Sequence, residues 1–153
     1  MLKSIKNIFS SNDFIKEEIS KEIDILSGLF IEAANTDGNI AAEELEKISH
    51  SLIHVFNEDP KVVENSLENA LQNKDNSKSL FFYTSKLNKT FSDEKKLTLI
   101  EELWEVILAD DEIHDFEANL IRRLAGLLYI SDVECGNAKI RASEKVLKND
   151  IRS

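Results

Sequence analysis

Hydrophobic positions recur at helical spacing along nearly the whole chain. Phe14, Ile15, Ile19, Ile23, Leu26, Phe30 and Ala33 fall three or four residues apart, and Ile25 and Leu29 run beside them as a second line. Apolar residues on more than one side predict a helix central to a bundle, over about 13–35. Asn12 and Asp13 offer its N-cap. Leu45, Ile48, Leu52, Val55 and Phe56 predict a second helix that starts near Ala41. Asn57-Glu58-Asp59-Pro60 is a break and restart, with Asp59 as N-cap and Pro60 at the first helical position. Val62, Val63, Leu67, Ala70 and Leu71 carry the third helix, and Gln72 to Ser77 reads as a polar loop.

Leu80, Phe81, Phe82, Tyr83, Leu87 and Phe91 predict a short aromatic helix that supplies core volume. Ser92 caps the next helix, with Asp93 and Glu94 suited to its first turn. That helix has one face of Leu97, Ile100, Trp104 and Ile107 and another of Leu99, Leu103 and Val106, so it too is central. Phe116, Leu120, Ile121, Leu124, Leu127 and Leu128 define a further helix. Ser131-Asp132-Val133-Glu134 has the form of a capping box and opens a last helix over about 132–147, ahead of a frayed, mixed-charge tail. The pattern predicts an all-α, single-domain helical bundle of six to seven helices. It divides the chain into an arm at 1–12 and a helical domain at 13–150. Leu2, Ile5 and Phe9 give the arm an apolar face that can dock on its own domain, a partner or a membrane surface.

Between the first two helices lies Asp37-Gly38-Asn39-Ile40, followed by Glu44. It recurs as Asp110-Asp111-Glu112-Ile113, followed by Glu117. The offset is 73 residues at the turn Asp, the Ile and the Glu. Upstream the same offset pairs Glu32 with Glu105, and downstream it pairs Ile48 with Ile121 and Asp59 with Asp132. An internal two-fold pseudo-repeat of a helix–acidic turn–helix unit is therefore expected. Folding each pair of helices antiparallel brings Glu32, Asp37 and Glu44 together in one copy, and Glu105, Asp110 and Glu117 in the other. Three adjacent acids call for a cation, a basic partner or a shared proton. All-oxygen ligands favour a hard divalent cation of the calcium or magnesium type. The bland alternative is that Asp caps the turn while the Glu residues cap helices or pair with Lys and Arg.

The turn also looks like the second half of an EF-hand loop, but the comparison fails. The first and third ligand positions would be Ala33 and Asn35, and in the second copy Val106 and Leu108. His50 and His54 have the spacing of a zinc pair, yet both point away from the apolar stripe and read as solvated. His114 beside the second turn is a cap or accessory ligand. No nucleophile–base motif, phosphate loop or cysteine pair is present, so no catalytic residue is assigned and the chain reads as no enzyme.

With 19 Lys and Arg against 29 Asp and Glu, the chain carries a net charge of −10. That excludes the basic face of a nucleic-acid binder and suits cations or a basic protein partner. Only four Gly and one Pro among 153 residues agree with a helical fold. Cys135 is the only cysteine, so no intrachain disulfide forms. It reads as a small buried residue in an intracellular setting. No apolar run reaches the ~18 residues of a membrane span, and the N-terminus lacks the pattern of a signal peptide.

Three stretches resemble the tellurite-resistance TerB-like family, a broad helical group that includes co-chaperone N-terminal-like domains. They are the run Leu29 to Ile40 with Glu44, the run Phe82 to Asn88, and the run Leu103 to Ile113 with Glu117 and Leu120 to Ala125. The resemblance covers about residues 20–145. It implies a helical bundle with internal pseudo-symmetry and a cytoplasmic, non-enzymatic bacterial protein whose acidic residues bind metal. Membership of this broad group does not by itself mean a role in tellurite resistance. Asp111 stands where the family's turn glycine is expected, so the copy at Asp37 is the better candidate. The expected function is thus a non-enzymatic, divalent-cation-binding protein of a stress or tellurite-resistance-type response. The alternative is an interaction module or co-chaperone-like scaffold that binds a basic partner through its acidic face.

Overall fold

The computed structural model describes residues 22–35, 38–74, 79–109 and 115–152. Seven helices and no strand occur among them: α1 over 22–34, α2 Ala42–His50, α3 Pro60–Gln72, α4 Leu80–Thr90, α5 Asp93–Leu108, α6 Asp115–Leu127 and α7 Asp132–Arg152. The helix α2 continues into one wider π-helical stretch, Ser51–Val55. The all-α bundle read from the hydrophobic pattern is the fold observed. The arm at 1–12 and the cap at Asn12 and Asp13 lie outside the described residues, as do Asp37, Asp110, Asp111 and His114. Among the described residues no helix is long and apolar enough to cross a membrane.

The start signals act as expected because capping is a local matter. The side chains of Asp59 and Ser92 accept hydrogen bonds from the backbone N–H groups of Val62 and Lys95, and Ser79, not read as a cap from the sequence, does the same for Phe82. Ser131 and Glu134 form the full reciprocal box, each side chain accepting from the other's N–H. Gly38, in the turn after α1, has φ +86°, a left-handed conformation that glycine takes at little steric cost.

The core centres on α1 and α5. Leu26, Leu29 and Phe30 of α1 and Leu99, Ile100, Leu103, Trp104 and Ile107 of α5 are almost fully enclosed, as are Ile48, Leu87 and Ile121 from α2, α4 and α6. Packing corrects several expectations. Phe116, placed on the buried stripe of α6, is 79% exposed, because Glu117 and Ala118 face inward instead. Val62 and Phe81 are also exposed, since α3 buries Val63 and Ser66 and α4 buries Leu80, Tyr83 and Thr84. The last helix, expected to end near 147, runs to Arg152, as no Gly or Pro follows to stop it.

The pseudo-repeat survives, with one shift in register. α2 and α6 begin at Ala42 and Asp115, 73 residues apart, and Leu26 and Leu99, Glu44 and Glu117, and Ile48 and Ile121 are buried in pairs at that offset. Beyond the second helix the offset falls to 72. Asn57 and Tyr129 both take a positive φ, 58° and 63°. The caps Asp59 and Ser131 match, not Asp59 and Asp132. The extra residue lies in the π stretch. Phe56 N–H donates to Ser51 C=O, five residues back, where Leu128 N–H donates to Leu124 C=O, four back. Glu58 N–H reaches Leu52 C=O, six back, where Ile130 N–H reaches Ala125 C=O, five back. A one-residue insertion into a helix is what a π turn accommodates, and such turns often mark functional sites.

The approach of α1 to α4 depends on a glycine. A Cβ added at Gly28 would stand 2.8 Å from the Tyr83 ring. Gly28→Ala gains ~1 kcal/mol of helix propensity but meets an overpacking cost of about 1–3 kcal/mol. The expected outcome is a melting temperature lowered by a few degrees, with most of the loss removed in a Tyr83→Leu background. An unchanged melting temperature for Gly28→Ala would refute the close contact.

Candidate functional site

The helix α5 buries charge as well as hydrocarbon. It needs an inward-facing residue at almost every position, and at 102 and 105 the sequence supplies Glu. An unpaired carboxylate there is costly, so partners must come from neighbouring helices. From α2, Lys47 Nζ lies 3.1 Å from Glu105 Oε1 and 3.7 Å from Glu102 Oε2. Ser51, the first residue of the π stretch, donates its hydroxyl to Glu102 Oε2 at 2.5 Å. The spacing from Lys47 to Ser51 is one helical turn, which puts both on the face of α2 that meets α5. From α7, Lys145 Nζ lies 2.7 Å from Glu101 Oε1 and 3.8 Å from Glu105 Oε2, and Arg141 Nε donates to Glu101 Oε2 at 3.2 Å. Three carboxylates and three cations thus join α2, α5 and α7.

The electrostatics of the cluster are uneven. Burial pushes the Glu105 carboxyl from 4.5 up to about 7, and the hydrogen bond and charge of Glu102 add to it, against the opposing pull of Lys47. Burial would raise Glu101 too, but hydrogen bonds from Lys145 and Arg141 outweigh it and hold that carboxyl below its ordinary value. The hydrogen bond to Glu101 raises Lys145 in return. Glu105 is accordingly the proton-exchanging member near neutrality.

The repeat supplies an internal comparison. Lys47, Ser51 and Glu102 correspond to Leu120, Leu124 and Leu29, all in or against the hydrophobic core. The pseudo-symmetric surface, between α6 of the second copy and α1 of the first, is closed with three leucines, so the fold itself does not require the charges.

The acids singled out from sequence are distributed as follows. Glu105 sits in this cluster. Glu44 and Glu117 occupy the same third position of α2 and α6, each 3% exposed. Glu44 Oε1 accepts from Ala41 N–H at 3.1 Å, which is the capping role the bland reading expected. Glu32 is half-buried on α1. With Asp37 and Asp110 outside the described residues, the two triads are seen only in part. Among the described residues no three His, Cys, Asp or Glu side chains are grouped to hold a metal ion. His50 and His54 are exposed, their rings 4.6 Å apart. Sequence reasoning missed Lys47, Ser51, Glu101, Glu102, Arg141 and Lys145. The available signal was Glu102, an acid between Ile100 and Leu103 in a helix with apolar residues on two faces.

Two outcomes follow for the cluster. Between about pH 4.5 and 7 the unfolded chain has released the Glu105 proton while the folded chain still holds it, so this group's contribution to stability falls as pH rises through that window and is flat above it. Wild type is expected to lose on the order of 1–3 kcal/mol there relative to Glu105→Gln, read from urea melts at pH 5 and pH 8. Parallel pH profiles would refute a raised Glu105. Lys47→Leu alone is expected to cost roughly 3–5 kcal/mol by stranding two buried acids. The triple change Lys47→Leu, Ser51→Leu, Glu102→Leu copies the other repeat and is expected to melt at or above the wild-type temperature. A triple variant as unstable as the single one would show that the cluster holds the fold together.

Residues 24–140 match the family model described as Tellurite resistance protein TerB, which spans most of the chain. No curated protein and no solved structure matches it. The match takes in both acidic turns, the π stretch and the start of α7. The chain belongs to the TerB family.

Proposed function

We propose that this chain is a non-enzymatic TerB-type protein that binds a divalent cation of the calcium or magnesium class at its acidic turns, in a stress or tellurite-resistance-type response. One observation carries the reading. A Glu at the third position of a helix that only caps its own N-terminus stays in solvent, as Glu134 does in α7. Glu44 and Glu117 hold the same position in α2 and α6 but are buried, and the repeat keeps a carboxylate there in both copies. Each follows a turn Asp, Asp37 or Asp110, and in sequence the preceding helix carries Glu32 or Glu105 near its end. A carboxylate kept inward at the same structural position of both copies, after a turn Asp each time, supports an oxygen-ligand site of the repeat unit.

The test is a thermal melt with calcium, magnesium, manganese and zinc in turn. At a hundredfold excess over Kd, binding adds ~2.7 kcal/mol. For a chain of this size that is a rise of about 5–10 °C. Glu44→Gln with Glu117→Gln is expected to abolish the rise. No shift with any of the four ions, or an undiminished shift in the double variant, would remove the cation reading. A net charge of −10 supports a second reading, a scaffold for a basic protein partner. Salt-sensitive capture of a basic partner in the absence of any cation-dependent shift would favour it.

A further inference from the structure

A cavity of about 370 Å³ opens between α5, α6 and the first two turns of α7, lined by Trp104, Arg122, Asp132, Cys135, Gly136 and Lys139. Its floor is polar where a core position would be apolar. Trp104 is 1% exposed, yet its indole N–H has no hydrogen-bond partner. The Cys135 sulfur faces that N–H, but sulfur is a weak acceptor and makes no bond of good geometry. A buried donor left so costs about 1–3 kcal/mol. Lys139 holds its ammonium 5.2 Å from the Trp104 ring centre, and Arg122 makes a long 3.4 Å contact to Asn119 on its own helix.

The repeat again shows that the fold does not demand this. At the matching places the first copy has Ile31, Val63 and Leu67, all buried and apolar, where the second has Trp104, Cys135 and Lys139. Gly136 keeps the mouth open, for a Cβ there would meet nothing within 4 Å. We propose that this cavity binds a small organic carboxylate with a planar apolar body, whose oxygens take the Trp104 N–H and the Arg122 and Lys139 charges while the body lies on the indole and Cys135. Donors exceed acceptors at the site, and the single opposing carboxylate, Asp132, stands on the exposed rim. Burial pushes the Cys135 thiol up, over the opposing pull of the Trp104 N–H and of Arg122, so the sulfur stays neutral and does not repel an anion. The volume is within the range of small-molecule pockets.

Trp104 is the only tryptophan, so its indole ¹H–¹⁵N signal and its emission report the site alone. The experiment titrates sodium benzoate into the full chain at constant ionic strength, with benzyl alcohol as the uncharged comparison. A saturable downfield shift of the Trp104 indole proton is expected with benzoate, and at least tenfold weaker binding with benzyl alcohol. Arg122→Gln with Lys139→Gln is expected to weaken benzoate by tenfold or more. Gly136→Leu places a side chain at the cavity wall, where a Cβ meets nothing within 4 Å, favours the helix, and is expected to abolish the shift at an unchanged or higher melting temperature. No saturable shift, equal binding of the two probes, or a Gly136→Leu variant that folds and still binds would each overturn the proposal. None of these readouts depends on a divalent cation at the acidic turns.

Discussion

The burial of α5 is the constraint from which the rest of the molecule follows. Nine of its sixteen residues are enclosed, and two of those nine are Glu. Hydrocarbon on the other faces can be covered by any apolar neighbour, but Glu102 and Glu105 can be covered only by donors. That requirement fixes α2 by Lys47 and Ser51, while α7, which packs extensively along α5, is tied through Lys145 and Arg141. The π stretch belongs to the same requirement. It starts at Ser51, and the extra residue it absorbs is the one that separates the two copies of the repeat.

The two copies test one another. A duplicated three-helix unit offers each structural position twice, and where both copies are apolar the residue type reports packing alone. Where one copy is apolar and the other polar, packing cannot be the reason for the polar choice. By that criterion Lys47, Ser51 and Glu102 set against Leu120, Leu124 and Leu29 mark one departure, and Trp104, Cys135 and Lys139 set against Ile31, Val63 and Leu67 mark another. Glu44 and Glu117 are the opposite case, a buried carboxylate kept in both copies. They belong to what the repeat unit does as a unit, whereas each departure belongs to one side of the pseudo-symmetric pair alone, Lys47 and Ser51 with Glu102 across the α2–α5 contact and Trp104, Cys135 and Lys139 in the second copy.

Much of this was legible in the sequence wherever the cause is local. Asp59, Ser92 and the Ser131–Glu134 pair announce helix starts because a cap is made with a backbone N–H three residues away. The repeat was legible at Glu44 and Glu117 because its period is constant through the first two helices. Its later slip to 72 was not, since Ser51 to Val55 is ordinary helical sequence and a π turn has no compositional mark. The cluster on α5 was half legible. Glu105 stood out beside the acidic turn, while Glu102 is explained by Ser51 and Lys47, distant partners on α2 and its π extension that no periodicity connects to it.

The direction of charge in the cluster bears on how a cation at the acidic turns would be felt elsewhere. Glu105 is the one residue shared by the second proposed triad and the buried cluster. Its carboxyl sits near neutrality because burial and Glu102 oppose Lys47. A cation beside Glu105 would favour its ionised form, and the proton lost would leave Lys47 and Lys145 held more tightly by α5. Binding at the turn between α5 and α6 would then stiffen the contacts of α5 with α2 and α7, helices on other sides of the core. Such coupling would need no moving part, because one carboxylate would be shared between the two places and could not satisfy them independently.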